Sequence, residues 1–189
     1  MNRKLRLLGY YNYTVILTYI GMICGFTGII SVMENNISRA IICLVAAGVC
    51  DMFDGTVAST MERNRKEKNF GIQIDSLSDL ICFGVQPAVI SYGLNRGNKI
   101  AFVISAIYAL CALIRLAYYN VDEQDRQLET DERRQYYEGM PVTLSAVFVP
   151  LIYLSLRQSD NLGTVVMCAL AVMACLFLSP FRVKKPKLH

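Results

Sequence analysis

Four aspartates occur as two pairs, each in a short stretch that also contains small residues. Asp51 and Asp54 lie in DMFDGTVAS, at positions 51–59, and Asp75 and Asp79 lie in GIQIDSLSD, at positions 71–79. On a helix, spacings of three and four residues place both members of a pair on one face. Two antiparallel helices could therefore bring four carboxylates together, and such a cluster needs cations to offset its internal repulsion.

The donor atoms available predict which cations these are. The one histidine is the final residue, His189, and the seven cysteines have no CxxC spacing. A site made of carboxylate oxygens favours hard ions such as Mg²⁺ or Mn²⁺, and four acids can hold two of them near neutrality. A site with two such ions clamps phosphate groups, so we predict chemistry at phosphate. Gly55 and Ala58 share the face of the first pair and Gly71 that of the second, which leaves room beside the acids.

The chain that must position these acids is too apolar for an ordinary soluble domain. Of its 189 residues 54% are hydrophobic, and its mean hydropathy is +0.37. The clearest apolar runs that could cross about 30 Å of hydrocarbon are 15–33, 100–119, 142–156 and 165–178. Two shorter runs, 37–50 and 80–94, become full spans if the adjacent Asp-bearing segment continues the same helix. We therefore predict an all-α polytopic membrane protein with about six transmembrane helices.

Basic residues predict the orientation of these helices. Most of the 19 Lys and Arg residues lie before the first span, in the 63–68 loop, in the 122–138 loop or in the tail. The positive-inside rule then places both termini and the Asp-bearing helix ends on the cytoplasmic side of the cell membrane. Residues 1–14 mix basic and aromatic side chains, which is typical of a short interfacial helix. Because no internal repeat is evident, we expect a single domain over residues 1–189.

The order of the acids and small residues resembles the signature of the CDP-alcohol phosphatidyltransferases, membrane enzymes with six transmembrane helices. The matching positions are Asp51, Asp54, Gly55, Ala58, Gly71, Asp75 and Asp79. Beyond them, the stretches FGIQIDSLSDLICFGVQPA (70–88), IRLAYYNV (114–121) and GMPVTLSA (139–146) are similar to phosphatidylserine synthases of the bacterial and archaeal type. A sister group that uses glycerol phosphate usually carries proline just after the third aspartate, where this chain has Ser76, and this favours serine as acceptor.

The resemblance implies a reaction and roles for these residues. CDP-diacylglycerol and L-serine would give phosphatidylserine and CMP, with the help of two divalent ions, Mg²⁺ or Mn²⁺. The implied metal ligands are Asp51, Asp54, Asp75 and Asp79, and Asp79 is also the candidate base for the serine hydroxyl. Gly55, Ala58 and Gly71 would let the nucleotide approach the helices. The family also implies a homodimer in the lipid bilayer and no nucleic-acid partner.

The chain departs from the family pattern at Ser59, where an arginine is usual, and the segment up to Gly71 is a few residues longer. A cation of the enlarged loop, such as Arg63, could take over its contact with phosphate. Arg115 lies inside a predicted span and needs an anion, for which a lipid phosphate or the serine carboxylate would suit. It could also extend to the interface or pair with an aspartate. Asn120 follows Arg115 at the interface and is a second candidate for this role.

Other interpretations remain open at this level. The acids could lie in solvent at helix ends, paired with Arg63, Arg65 or Lys68, although this is a weak explanation for four acids on two matched faces. A member of the same family could use glycerol 3-phosphate or inositol instead of serine. A divalent-ion transporter could use the acids as its pathway, but its acids would more naturally lie near the midplane of the bilayer. Gly84 and Pro87 interrupt the third span, which predicts close packing or a kink there.

Overall fold

The computed structural model describes residues 9–11, 13–58, 60–61, 64–129, 136–180 and 182–184. This part of the chain is almost entirely helical, which confirms the all-α fold class. Its α-helices are α1 Ile16–Met33, α2 Ile37–Ala58, α3 Arg65–Asp79, α4 Gln86–Leu94, α5 Lys99–Glu129, α6 Ser145–Leu156 and α7 Leu162–Leu178. Short 3-10 turns precede α1 and α6, at Tyr13–Val15 and Val142–Leu144.

Apolar helices occupy all of the predicted spans. The stretches long and apolar enough to cross a membrane are Tyr13–Met33, Ile37–Val57, Arg65–Leu94 and Lys99–Gln124. Two further apolar helices, Val142–Leu156 and Leu162–Leu178, are shorter. The second and third long stretches confirm that each Asp-bearing segment continues the helix of a short apolar run. The aspartates are therefore held on long, continuous helices and not on loops.

A stripe of small residues lets α1 pack closely against its neighbours. Thr18, Gly21 and Gly25 recur at intervals of three and four residues, and all are buried. A Cβ atom on Gly21 would lie 3.3 Å from Cβ of Cys50 on α2, and one on Gly25 would lie 2.6 Å from Sγ of Cys82, which follows α3. Small residues of this kind allow the close backbone contact by which helices associate in lipid. The stripe thus holds α1 against both Asp-bearing parts of the chain.

Helix α3 continues into α4 through a wider turn, Leu80–Val85, which has π-helical geometry. In this turn the N–H of Gln86 donates to the carbonyl of Ile81, five residues earlier. Pro87 lies in the first turn of α4, where its ring and its missing N–H disturb regular bonding to residue i−4. At Gly84, which is buried, a Cβ atom would lie 3.2 Å from a side-chain carbon of α5. The third span therefore combines the predicted close packing with an irregular turn.

Two three-residue strands add a feature that the sequence did not predict. Strand β1, Tyr136–Glu138, pairs antiparallel with β2, Arg182–Lys184, and so joins the chain before α6 to the chain after α7. The predicted interfacial helix falls mostly on residues 1–8 and 12, which lie outside the described residues.

Candidate metal and phosphate site

Helices α2 and α3 bring three of the four aspartates together. Asp51 and Asp54 lie in the last two turns of α2, and Asp75 lies near the end of α3. One carboxylate oxygen from each of the three can be chosen so that all lie within 4.8 Å of one another. Each of these side chains is half-buried. The cluster thus concentrates negative charge at a place where water only partly screens it.

A capping box fixes the point at which α3 begins. Oδ1 of Asn64 accepts the backbone N–H of Glu67 at 2.9 Å, and Oε2 of Glu67 accepts the backbone N–H of Asn64 at 3.0 Å. These reciprocal bonds satisfy backbone donors that the first helical turn leaves free. Because the start of the helix is fixed, so is the face on which Gly71 and Asp75 lie, one turn apart.

Asp79 lies beside this group of three and not within it. Its carboxyl group interacts with that of Asp51. All four aspartates line one small internal cavity, together with Thr18 and Ser78. Four residues of helix advance the chain by about 6 Å, so Asp79 lies one turn deeper than Asp75. The predicted convergence of four acids is therefore a compact group of three with the fourth beneath it.

The donor atoms of the cluster fit a hard divalent cation. They are carboxylate oxygens, which Mg²⁺ and Mn²⁺ prefer. Oδ1 of Asp75 is buried and has no hydrogen-bond partner within the described part of the chain. Oδ2 of Asp54 accepts a hydrogen bond from Oγ1 of Thr18 at 3.3 Å, and such a second contact orients a ligating carboxylate. An oxygen that is both buried and unpaired is unfavourable unless something cationic binds it.

A cleft of about 210 Å³ opens beside the cluster. Asp54, Asp75, Gly55 and Gly71 form part of its wall. A Cβ atom on Gly55 would meet nothing within 4 Å, so packing within the protein does not explain a glycine there. The cleft therefore joins the acids to the small residues predicted to admit a ligand.

Several residues that line the cleft were not predicted from the sequence. They are Thr14, Val15, Thr18, Ile72 and Glu123. Lys68 also lines it, and it was predicted only as one of several loop cations that could pair with the acids or contact phosphate. Thr14 and Thr18 are one turn apart at the start of an apolar span, and this pattern could have indicated a polar face there. Glu123 carried no such signal, since it lies among the charged residues at the end of α5.

Arg115 and Asn120 are not among the residues that line this cleft. Arg115 is buried, and its Nε donates a hydrogen bond to the carbonyl oxygen of Met140. Asn120 links α5 to α3, because its Oδ1 accepts from Oγ of Ser76 at 2.6 Å and its Nδ2 donates to Oε1 of Gln73 at 3.4 Å. Asn120 therefore holds α5 against the helix that carries Asp75.

Two of the predicted positions lie outside the described residues. These are Arg63 and Ser59. Ala58 is the last residue of α2, and its side chain is not described. Their predicted roles stay predictions.

A family profile and individual relatives place the chain in the same protein family. Residues 11–177 match the profile described as CDP-alcohol phosphatidyltransferase. The chain is 31% identical over 150 residues to a CDP-diacylglycerol–serine O-phosphatidyltransferase of Mycobacterium tuberculosis, and the match covers 78% of this chain and 51% of the relative. The chain therefore spans about half the length of that relative.

Two further relatives extend the comparison to other groups of organisms. A CDP-diacylglycerol–serine O-phosphatidyltransferase of Bacillus subtilis is 27% identical over 165 residues, which are 86% of each chain. An archaetidylserine synthase of Methanothermobacter thermautotrophicus is 28% identical over 150 residues, which are 79% of this chain and 60% of the relative.

Proposed function

Because this chain belongs to the CDP-alcohol phosphatidyltransferase family, we propose that it transfers the phosphatidyl group of CDP-diacylglycerol to the hydroxyl of L-serine. The products are phosphatidylserine and CMP. The relatives named for this reaction in a mycobacterium and in Bacillus subtilis support serine as the acceptor. The proposed site is the cleft between α2 and α3 with its aspartate cluster.

One observation carries this proposal. Oxygens of Asp51, Asp54 and Asp75 lie within 4.8 Å of one another, and Asp54 and Asp75 form part of the wall of a cleft where Gly55 leaves open space. Such a group suits one or two divalent ions, Mg²⁺ or Mn²⁺, that would neutralise a bound pyrophosphate and stabilise the departing CMP. Open space beside the group is what a nucleotide diphosphate would require, and Gly71 and Ala58 would serve the same purpose as Gly55.

The chain's own residues would carry the rest of the reaction. Asp51, Asp54 and Asp75 would hold the ions, and Asp79 would complete the ligand set or act as the base. As base, Asp79 accepts the proton of the serine hydroxyl while the serine oxygen forms its bond to phosphorus. The bond from that phosphorus to the CMP oxygen breaks, and CMP leaves as an anion. Half-burial of Asp54 and Asp75 at the cleft wall would limit the access of competing water.

Contacts to the remaining charges of the substrates are proposed for other residues. Members of the family usually have an arginine at the position of Ser59. Arg63 would make the contact with phosphate that this arginine makes in the family. Arg115 and Asn120 would act on a lipid phosphate or on the serine carboxylate, either directly or by fixing the chain around Met140 and Ser76. We further propose a single domain, a homodimer, and a cell-membrane location with both termini and the cleft on the cytoplasmic side.

The test is the release of CMP from CDP-diacylglycerol by the purified full chain in mixed micelles with Mn²⁺ or Mg²⁺. We expect release that depends on L-serine and produces phosphatidylserine. Asp79→Asn should abolish it, whereas Asp160→Asn, an exposed aspartate between α6 and α7, should leave it unchanged. If CMP release depended on glycerol 3-phosphate or inositol and not on L-serine, that alcohol would be the acceptor. If no acceptor gave CMP release, the proposal would be overturned.

A further inference from the structure

The carbonyl of Phe83 lacks the donor that a regular helix would supply. In an α-helix this carbonyl would accept the N–H of residue 87, and Pro87 has none. Two side chains donate to it instead. The hydroxyl of Tyr108, on α5, lies 2.7 Å from the Phe83 oxygen, and Oγ of Ser145, at the start of α6, lies 3.2 Å from it. The helix is therefore held here by groups from two other helices.

These hydrogen bonds lie in the interior of the protein. Tyr108 and Ser145 are fully buried, and Phe83 has an exposed fraction of 1%. A buried carbonyl requires a partner, and two donors from different helices fix its position more tightly than one. The wide turn Leu80–Val85 is thus held by residues far from it in sequence.

The same turn borders the aspartate cluster. Asp79 immediately precedes it, and Phe83 lies one turn further along the helix. Cys82 and Phe83 line the small cavity that the four aspartates also line. A wide turn rotates the helix after it relative to the helix before it, so its geometry determines how Asp79 is aimed when α4 is packed in place. π-helical turns of this kind often occur at functional sites.

We propose that Tyr108 and Ser145 are positioning residues for Asp79. By satisfying the Phe83 carbonyl, they keep the turn Leu80–Val85 wide and thereby keep the Asp79 carboxyl group against Asp51. Neither residue lines the cleft or the small cavity that the four aspartates share. This inference rests on the proposed function, since it gives Asp79 its role in transfer.

The double variant Tyr108→Phe/Ser145→Ala removes both donors and little else. We expect the turnover number kcat with L-serine to fall about tenfold to a hundredfold, because small displacements of a reacting group have effects of this size. The KM values for both substrates should stay within about twofold. Mn²⁺ binding, measured by electron paramagnetic resonance in the absence of substrate, should persist, because Asp51, Asp54 and Asp75 remain. Tyr153→Phe is the matched control, since it removes a tyrosine hydroxyl bonded to Ser38 at 2.6 Å, away from the cluster.

A third substitution distinguishes an effect of the two hydroxyl groups on the position of Asp79 from an effect on the stability of the fold. Adding Pro87→Ala to the double variant supplies an N–H four residues after Phe83, which can satisfy its carbonyl in a regular helix. We expect the melting temperature Tm, lowered in the double variant, to recover at least in part. The turnover number should stay low, because a regular turn aims Asp79 differently.

Each outcome decides the matter. Recovery of kcat together with Tm in the triple variant would mean that the hydroxyls act only through stability, and full kcat in the double variant would mean that they do not act on Asp79 at all. Either result overturns the inference. Loss of Mn²⁺ binding in the double variant would also overturn it, because the whole cluster would then depend on the turn. Failure of the proposed function is distinguishable, since it would appear as an inactive wild-type protein.

Discussion

Thr18 on α1 donates a hydrogen bond from Oγ1 to Oδ2 of Asp54 on α2, over 3.3 Å. Thr18 is buried, with an exposed fraction of 7%, and lies in the stripe of small residues that packs α1 against its neighbours. The first helix therefore contributes to the aspartate cluster although it carries no acid of its own. A carboxylate held in this way has fewer orientations to lose when it binds a cation.

Replacing Thr18 with valine should weaken metal binding. Valine has nearly the same shape but cannot donate, so the carboxylate of Asp54 would be free to rotate. We expect the Mn²⁺ concentration that gives half-maximal CMP release to rise about tenfold, the lower end of effects of this type. The control is Thr27→Val on the same helix, where the hydroxyl donates to the carbonyl of Ile23. An unchanged Mn²⁺ dependence in Thr18→Val would show that the bond does not orient Asp54.

Asp75→Asn should stabilise the metal-free protein while removing its response to metal. The substitution takes one negative charge out of a half-buried group of three, and this relieves repulsion. We expect Tm in the presence of a chelator to rise by a few degrees, which corresponds to about 1 kcal/mol for a chain of this size. The increase in Tm that Mn²⁺ gives to the wild-type protein should largely disappear.

Thermal unfolding in detergent with and without Mn²⁺ measures both effects. Asp160→Asn provides the control, because this exposed aspartate lies between α6 and α7 and lines neither the cleft nor the small cavity of the cluster. It should change neither Tm nor the response to Mn²⁺. If Asp75→Asn lowered Tm in the metal-free state, the carboxylate would be stabilising by itself, and the cluster would not be built around a cation.

Features that depend on local sequence were predictable. The lengths of the apolar runs, and the idea that the Asp-bearing segments continue the helices of 37–50 and 80–94, agree with the described helices. Spacing also placed Asp51 and Asp54 on one face. These features follow from helical periodicity and from the thickness of a bilayer, both of which act over a few neighbouring residues.

Features that depend on packing between distant residues were not predictable. The bond from Thr18 to Asp54 joins residues 36 positions apart, and the bond from Tyr108 to Phe83 joins residues 25 apart. Helical periodicity shows that Asp79 shares a face with Asp75, but it does not show which oxygens meet across two helices. Pro87 indicated an irregularity, yet the donors that compensate for it lie on α5 and α6, and no local pattern marks them.

Gly55→Ala should impair binding of the nucleotide without affecting the fold. A Cβ atom at Gly55 would meet nothing within 4 Å, so the added methyl group would extend into the cleft. We expect a Tm that is unchanged or slightly raised, because alanine favours a helix more than glycine does. The KM for CDP-diacylglycerol should rise about tenfold, close to the effect of one misfit group in a binding pocket. Gly48→Ala on the same helix is the opposite case. There the new Cβ would lie 2.7 Å from Cβ of Ala146, and Tm should fall. A normal KM in Gly55→Ala would place the nucleotide elsewhere.

Two charges of opposite sign in the cleft predict how the acceptor is selected. Lys68 on α3 and Glu123 on α5 both line it, and Asn120, one turn before Glu123, bonds α5 to α3 through Ser76. L-serine carries a carboxylate that suits Lys68 and an ammonium group that suits Glu123. Glycerol 3-phosphate carries negative charge alone, which Glu123 and the aspartates would repel unless cations offset it.

Substitutions that remove the charge at each of these two positions should therefore distinguish acceptors by the charges that they carry. With Glu123→Gln we expect KM to rise about tenfold for L-serine and for ethanolamine, which both carry the ammonium group, but not for 3-hydroxypropionate, which lacks it. Lys68→Gln should instead raise KM for L-serine and 3-hydroxypropionate, which both carry a carboxylate, but not for ethanolamine, which lacks one. Lys66→Gln and Glu34→Gln are matched controls, because neither residue is among those that line the cleft. If Glu123→Gln affected all three acceptors equally, Glu123 would act on CDP-diacylglycerol or on the fold, and the discrimination between serine and anionic alcohols would have to come from other residues.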